Sequence, residues 1–224
     1  MISYIHGQPE YYDDAGIAKS IANANVALKN SPTTVALISR VLEEWKILII
    51  FYRKKRLASL DLVNCLTNKV NLRKNTIWVY SGDRNDLFYL TESLNSYTRK
   101  FEDIFNLAPT SRSIATHFSL TFNQWTRYNR TPFAASIFSY SKNTDRFYLV
   151  NPGGLLDETR LVVSGNYESE ILEILQPYNQ ELPNFENLDQ WKAYCKELID
   201  KIIKVTSFSI EDLVILDHFP LRSI

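Results

Sequence analysis

Between Thr76 and Phe105 an apolar strand pattern gives way, across three residues, to an amphipathic helix pattern. Thr76-Ile77-Trp78-Val79-Tyr80 is β-branched and aromatic, the composition of a strand. In Ser81-Gly82-Asp83, the glycine permits a positive φ, and the Asp83 carboxylate or the Ser81 hydroxyl can accept from the amides that a following helix leaves unpaired. After Arg84-Asn85-Asp86, the residues Leu87, Leu90, Leu94, Phe101 and Phe105 recur on one helical face. A strand feeding a helix with one apolar stripe requires a sheet for that stripe to cover.

The rest of the chain repeats this alternation. Residues 1–32 show no sustained strand or core-helix period and read as an arm or pro-segment, with a short helix over Ile17 to Leu28. Strands are expected over Thr33 to Ser39, Trp45 to Phe51, Ser59 to Val63 and Thr76 to Tyr80. A second helix opens at Pro109-Thr110 and buries Ile114, Phe118, Phe122 and Trp125. Phe133 to Tyr140 and Asp145 to Val150 read as strands around the turn Ser141-Lys142-Asn143-Thr144, and Asn151-Pro152-Gly153-Gly154 is another turn. Arg160 to Ser164 is a short strand ending at Gly165, and Glu168 to Leu175 a short helix stopped near Pro177. Asn187 and Gln190 form a capping-box pattern ahead of the stripe Leu188, Trp191, Cys195, Leu198 and Ile202. Phe208 to Leu216 closes the chain as one or two strands.

Two amphipathic helices after each block of strands are suited to covering the outer face of a sheet. Connections within the blocks are too short for parallel crossovers, so the sheets should be largely antiparallel. Stacking them gives an α+β fold, a four-layer α/β/β/α sandwich; the same periodicity also fits a simpler two-layer α+β fold.

The 224 residues, 45% hydrophobic and 22% charged, suffice for a substantial core as one domain, or for at most two small ones. Lys plus Arg equals Asp plus Glu at 25 each, so no global field draws the chain to nucleic acid or an anionic membrane. The longest apolar runs, such as Ile47 to Tyr52, fall far short of the roughly 20 residues a bilayer span requires. Cys65 and Cys195 are isolated, and no secretory signal pattern opens the sequence, so a soluble protein of a reducing intracellular compartment is expected.

Several motifs together resemble the beta-type subunits of the 20S proteasome, members of the N-terminal-nucleophile hydrolase fold. Asn68-Lys69-Val70, then Ile77 to Asp86, is similar to that family's lysine-containing strand, the next strand and the Ser-Gly-x-x-x-Asp start of its first helix. Asp145 to Gly154 resembles the strand and turn that follow, with Asn151 where aspartate is usual, and Val163-Ser164-Gly165 resembles the strand end before the third helix. Ser81-Gly82-Asp83 and Tyr148 to Asn151 resemble the non-catalytic seventh beta subunit most; Arg130 to Phe133 and Cys195 to Leu198 resemble the fourth. The resemblance implies a proteasome-like domain over 33–217 and a C-terminal tail over 218–224.

In that family the nucleophile is a threonine freed at its amino terminus, which places Thr33 and the matching Lys69 as the candidate catalytic residues. Three features oppose activity. Pro32 stands where active members have glycine; Ile50-Phe51-Tyr52-Arg53 lacks their second-strand carboxylate; and Lys204-Val205-Thr206-Ser207 replaces their Arg-Asp pair. Other chemistries are weaker still. His6, His117 and His218 are scattered, so no metal site is expected, and no glycine pattern cradles a nucleotide, so no cofactor is expected. Asp83 and Asp86 suit amide capping at a helix start better than paired acid catalysis. Arg53-Lys54-Lys55-Arg56 reads as a solvated strand end or subunit contact, against phosphate binding or nuclear import.

The resemblance thus implies a catalytically inactive structural beta-type subunit of the 20S proteasome, in cytoplasm and nucleus. Its partners would be neighbouring alpha and beta subunits in stacked heptameric rings, with no nucleic acid and no membrane. Tyr128, Tyr140, Tyr148, Tyr178 and Phe219-Pro220-Leu221 are candidate contacts, and each equally suits packing within the chain. Two other readings stand beside it: an active threonine peptidase with Thr33 as nucleophile, and an independent scaffold or nucleic-acid adaptor using the basic run.

Overall fold

A computed structural model describes residues 14–53, 66–73, 76–129, 132–141, 144–180, 183–206 and 209–216. The order is α1 (Asp14–Leu28), β1 (Thr33–Val41), β2 (Glu44–Arg53), β3 (Leu66–Arg73), β4 (Thr76–Asp83), α2 (Arg84–Phe105) and α3 (Ser111–Asn129). There follow β5 (Ala135–Ser141), β6 (Phe147–Val150), β7 (Leu156–Thr159), β8 (Leu161–Ser164), α4 (Glu168–Gln180), β9 (Asn184–Phe185), α5 (Leu188–Thr206) and β10 (Ser209–Leu216).

One sheet runs β10-β2-β1-β8, and the other β3-β4-β5-β6-β7. Every pairing along these two paths is antiparallel, while β9 pairs β1 in parallel at Arg40–Asn184 and Val41–Phe185. Period-two alternation sends successive side chains of a strand into different layers. On β1, Ala36 and Ile38 face the second sheet with Ile77, Val79, Phe138 and Phe147. Val35 and Leu37 face α4 and α5 with Trp191, Leu198 and Ile202. Trp78 and Tyr80 of β4 point outward under α2 and α3, onto Leu90, Phe118 and Phe122. Three apolar interfaces therefore separate four layers, α/β/β/α.

The helix boundaries have local causes. The Asp83 side chain caps α2 by accepting from the Asn85 amide at 2.8 Å, and Asn106, left-handed at φ 51°, closes it by donating its N–H to Glu102 C=O at 2.8 Å. At α5, Gln190 N–H donates to Asn187 Oδ1 at 2.9 Å while Gln190 Oε1 accepts from Glu186 N–H at 3.1 Å, a reciprocal cap. The start of α3 is tied to β5, with Ser111 N–H donating to Ser141 Oγ and Ser139 Oγ donating to Ser111 C=O.

Three expectations are corrected. The helix after Glu168 does not stop near Pro177 but runs through it to Gln180. Its last turn is held from outside, where Tyr178 packs edge-on against Tyr194 of α5, which offsets the hydrogen bond that proline forfeits. Leu156–Thr159 forms a strand where only a turn preceded it, because β7 is a sheet-edge strand with no buried side chain and so no alternating pattern to read. Tyr140 is not a surface contact: at 2% exposure it lies between the sheets beside Phe147. The expected strand over Ser59 to Val63 lies outside the described residues, as does the tail over 218–224.

Candidate functional site

Thr33, the candidate nucleophile, opens β1 opposite Tyr52, and Thr34 stands between Phe51 of β2 and Ser164 of β8. Thr33 is 0% exposed, and its hydroxyl donates to Asn166 C=O at 2.6 Å. The segment before it is equally confined. Ser31 is 0% exposed and accepts, through its carbonyl, the Asn166 N–H at 3.1 Å. Gly165, at φ +102°, lies so close to the segment that a Cβ there would stand 2.8 Å from Ser31 O and 2.7 Å from Pro32 O. The turn 164–166 is thus shaped around an uninterrupted chain through Ser31-Pro32-Thr33.

Upstream, α1 lays Ile17, Ile21, Ala24 and Leu28 along one face, with Ala24 and Leu28 buried. Ile21 fits over Gly153 of the β6–β7 turn, where a Cβ would meet Ile21 Cδ1 at 2.7 Å. A partly open cavity of about 560 Å³ remains between α1, that turn and the start of α4, with Asn25, Lys29, Asn151 and Glu168 among its polar lining. Burial raises the Glu168 carboxyl above its ordinary range, and Lys29 opposes the shift. Serine hydroxyls meet where the sheets face each other beside this segment: Ser31 Oγ and Ser81 Oγ are 3.4 Å apart, and Ser136 Oγ and Ser164 Oγ 3.0 Å.

The remaining catalytic candidates fall around this point in register. Lys69 of β3 pairs with Tyr80 of β4, and its neighbour Asn68 pairs with Ser81, so the lysine's backbone position is brought to the Ser31 end of the sandwich. On β2, the residues in register with Val35, Thr34 and Thr33 are Ile50, Phe51 and Tyr52, none a carboxylate. Hydrolysis at a threonine requires its oxygen to reach a carbonyl and its own α-amine, or another base, to take the proton. In this arrangement the oxygen is enclosed, and the nitrogen is an amide bonded to Pro32.

Asp83 ends β4, two residues beyond Ser81, and Asp86 lies in the first turn of α2. Asp83 caps α2 as described, and the Tyr80 hydroxyl donates to its backbone carbonyl. The Asp86 carboxyl is pushed up to about 6, first by burial and then by the Asp83 charge, while a hydrogen bond from the Ala134 backbone pulls the other way. Burial likewise raises Tyr80 far above the ordinary phenol range. The capping geometry accounts for Asp83; the shift at Asp86 was not legible from sequence, because the burial that dominates it is set by tertiary packing.

His117 stacks on Tyr97 across the α2–α3 seam, ring centroids 4.3 Å apart, with Nε2 3.1 Å from Ser93 Oγ. His6, His218 and Cys65 lie outside the described residues, as do Lys54-Lys55-Arg56 and Phe219-Pro220-Leu221. Cys195 is buried in the α5 core, its thiol pushed up to about 12 by burial. No group of three metal-ligating side chains occurs among the described residues. Tyr128 is 84% exposed, whereas Tyr148 packs against the α2–α3 core and Tyr178 against that of α4 and α5.

No curated protein matches the chain. The family model for proteasome subunits matches residues 64–215, from the region before β3 through nearly all of β10; it covers the β3-to-β7 sheet, strands β8 to β10 and helices α2 to α5, and begins after β1 and β2. That span is more than half of the sequence, and the chain belongs to the proteasome subunit family.

Proposed function

We propose that this chain is a catalytically inactive subunit of the proteasome core particle, one that keeps the segment before Thr33 and serves intracellular protein degradation by completing a ring. Membership of the family implies assembly with other proteasome subunits. The observation that carries inactivity is the enclosure of Thr33: no exposure, its hydroxyl spent on Asn166, and Ser31-Pro32 docked on Gly165-Asn166. The absence of a carboxylate opposite Thr33 on β2 supports the same reading.

A beta-type position, seventh-like by its motifs, follows from the Ser81-Gly82-Asp83 and Tyr148-to-Asn151 resemblances. One observation favours a second reading, a member of an alpha ring. Because α1 is packed into the end of the sandwich against Gly153, and Gly165 is shaped to the Ser31-Pro32 that follows it, the N-terminal segment behaves as part of the fold. A subunit of the non-hydrolysing rings has no reason to shed such a segment. In either ring the expected surroundings are sister subunits in cytoplasm and nucleus, without cofactor, nucleic acid or membrane; no helix among the described residues is long and apolar enough to cross one.

Intact-mass measurement of the chain from purified particles tests the proposal. Residues preceding Thr33 should be retained, and a peptide electrophile that requires both a threonine oxygen and a free amine should leave the chain unlabelled. A mature terminus at Thr33 with labelling would establish the threonine peptidase instead. Recovery only as a monomer or dimer, with affinity for a phosphate polymer that falls steeply with salt, would favour the adaptor reading of the basic run. Cross-linking within the intact particle assigns the ring.

A further inference from the structure

We propose that the α2–α3 helix pair is a proton-sensitive element, whose seam loosens when His117 takes up a proton. The imidazole lies nearly parallel to the Tyr97 ring, 10° between planes and 4.3 Å between centroids, with Phe118 beside it at 6.0 Å. From α2 it faces the Ser93 hydroxyl, 3.1 Å from Nε2, and Tyr97. On α3, Thr121 Oγ donates to the His117 carbonyl, and Ser113 is hydrogen-bonded to the Tyr97 side chain. The titratable group touching His117 is therefore Tyr97, which burial keeps neutral, and no Asp, Glu, Lys or Arg among the described residues acts on the imidazole electrostatically. Neutral Nε2 can accept from Ser93; charged, it can only donate, so Ser93 must turn its proton elsewhere. The Tyr97 face and a hydrogen bond to the Ser93 backbone favour an imidazolium to some degree, but desolvation of a cation without a counter-charge dominates.

The consequence extends along the surface. Tyr97 touches Phe101 at 5.8 Å and Phe101 touches Phe105 at 4.7 Å, both tilted contacts, so a run of touching rings leads from His117 to the α2–α3 corner, where Ile104, Phe105 and Leu107 stand exposed. Acid that opens the seam at His117 releases the support of that corner.

The full-length chain tests this in two ways. Histidine resonances, with that of His117 identified by its loss in His117→Gln, should show His117 titrating below the ordinary value of about 6.5; a midpoint at or above that value overturns the proposal. Hydrogen exchange of α2 and α3 peptides, corrected for intrinsic rate and referenced to α5, should rise roughly threefold between about pH 7.5 and about pH 5.5. His117→Phe keeps a ring on Tyr97 but has no proton to gain, and its exchange ratio should stay flat. An equal rise in both proteins overturns the idea. The titration in the unaltered chain decides the matter if His117→Phe does not fold.

Discussion

The two helix layers bury comparable stripes yet finish their outer surfaces differently. Under α4 and α5 the core is largely aliphatic around the fully buried Trp191, and the outward positions include Lys192, Lys196 and an ion pair, Glu197 with Lys201 at 2.7 Å. Under α2 and α3 it is aromatic, with Trp78 on Phe118 and Phe122 and Trp125 on Phe133. Outside, Phe88, Ile104, Leu107 and Tyr128 are each more than two-thirds exposed. Leu172 and Val205 show that the first layer is not wholly polar, but the second carries far more apolar surface than a lone domain requires. The contrast is what an assembling subunit needs: one outer layer suited to water and one able to meet protein.

The most disruptive way to probe this contrast is to open a cavity in each layer. Trp191→Ala and Phe118→Ala should each cost about 3 to 5 kcal/mol in denaturant melts. Equal loss of both layers' signals in either variant would show one cooperative unit, and separate transitions would show two. Gly82→Ala should follow at about 2 to 4 kcal/mol. A Cβ at Gly82 falls 2.6 Å from Ala135 Cα, and backbone on β5 cannot swing aside. Gly153→Ala should cost less, because its nearest obstacle is the movable Ile21 side chain.

Charge gives a subtler probe of the α2 layer. The Asp86 carboxyl is raised in the folded state, so its contribution to stability is complete below the unfolded value near 3.9 and is lost as pH rises through about 6. Asp86→Asn should therefore gain about 1 kcal/mol at neutral pH, allowing for solvent screening of a half-buried group, and nothing at about pH 3.5. A neutral-pH loss of stability would mean that the helix-terminal attraction outweighs burial. Phe105→Ser combined with Leu107→Ser should change stability least, within about 0.5 kcal/mol. Their effect should instead be on recovery of the chain in particles, and normal recovery would remove the α2–α3 corner from the assembly surface.

How much of this was legible follows from where each signal resides. The stripe Leu87, Leu90, Leu94 and the motif Ser81-Gly82-Asp83 were readable because a helix face and its cap are fixed within a few residues. The continuation of α4 past Pro177 was not, since what holds it is Tyr194 in another helix. Scarcity of glycine hid other turns: Leu42, Asn106 and Tyr167 adopt positive φ without being glycine, so neighbouring structure must hold them there. At the candidate site, Thr33 and Lys69 were found by motif. The group that disposes of the Thr33 hydroxyl, Asn166, stands 133 residues away with no spacing to announce it.

The sequence by itself determined the local units: which stretches extend, which coil, which faces are apolar, and that Thr33 follows a proline with no carboxylate on the next strand. Only the tertiary structure decided that α1 packs into the end of the sandwich, and that Ser31 and Pro32 rest against Gly165. The physical reason is range. Backbone preference and periodicity act over one or two turns of chain, whereas exclusion of water from a threonine depends on segments joined only by folding.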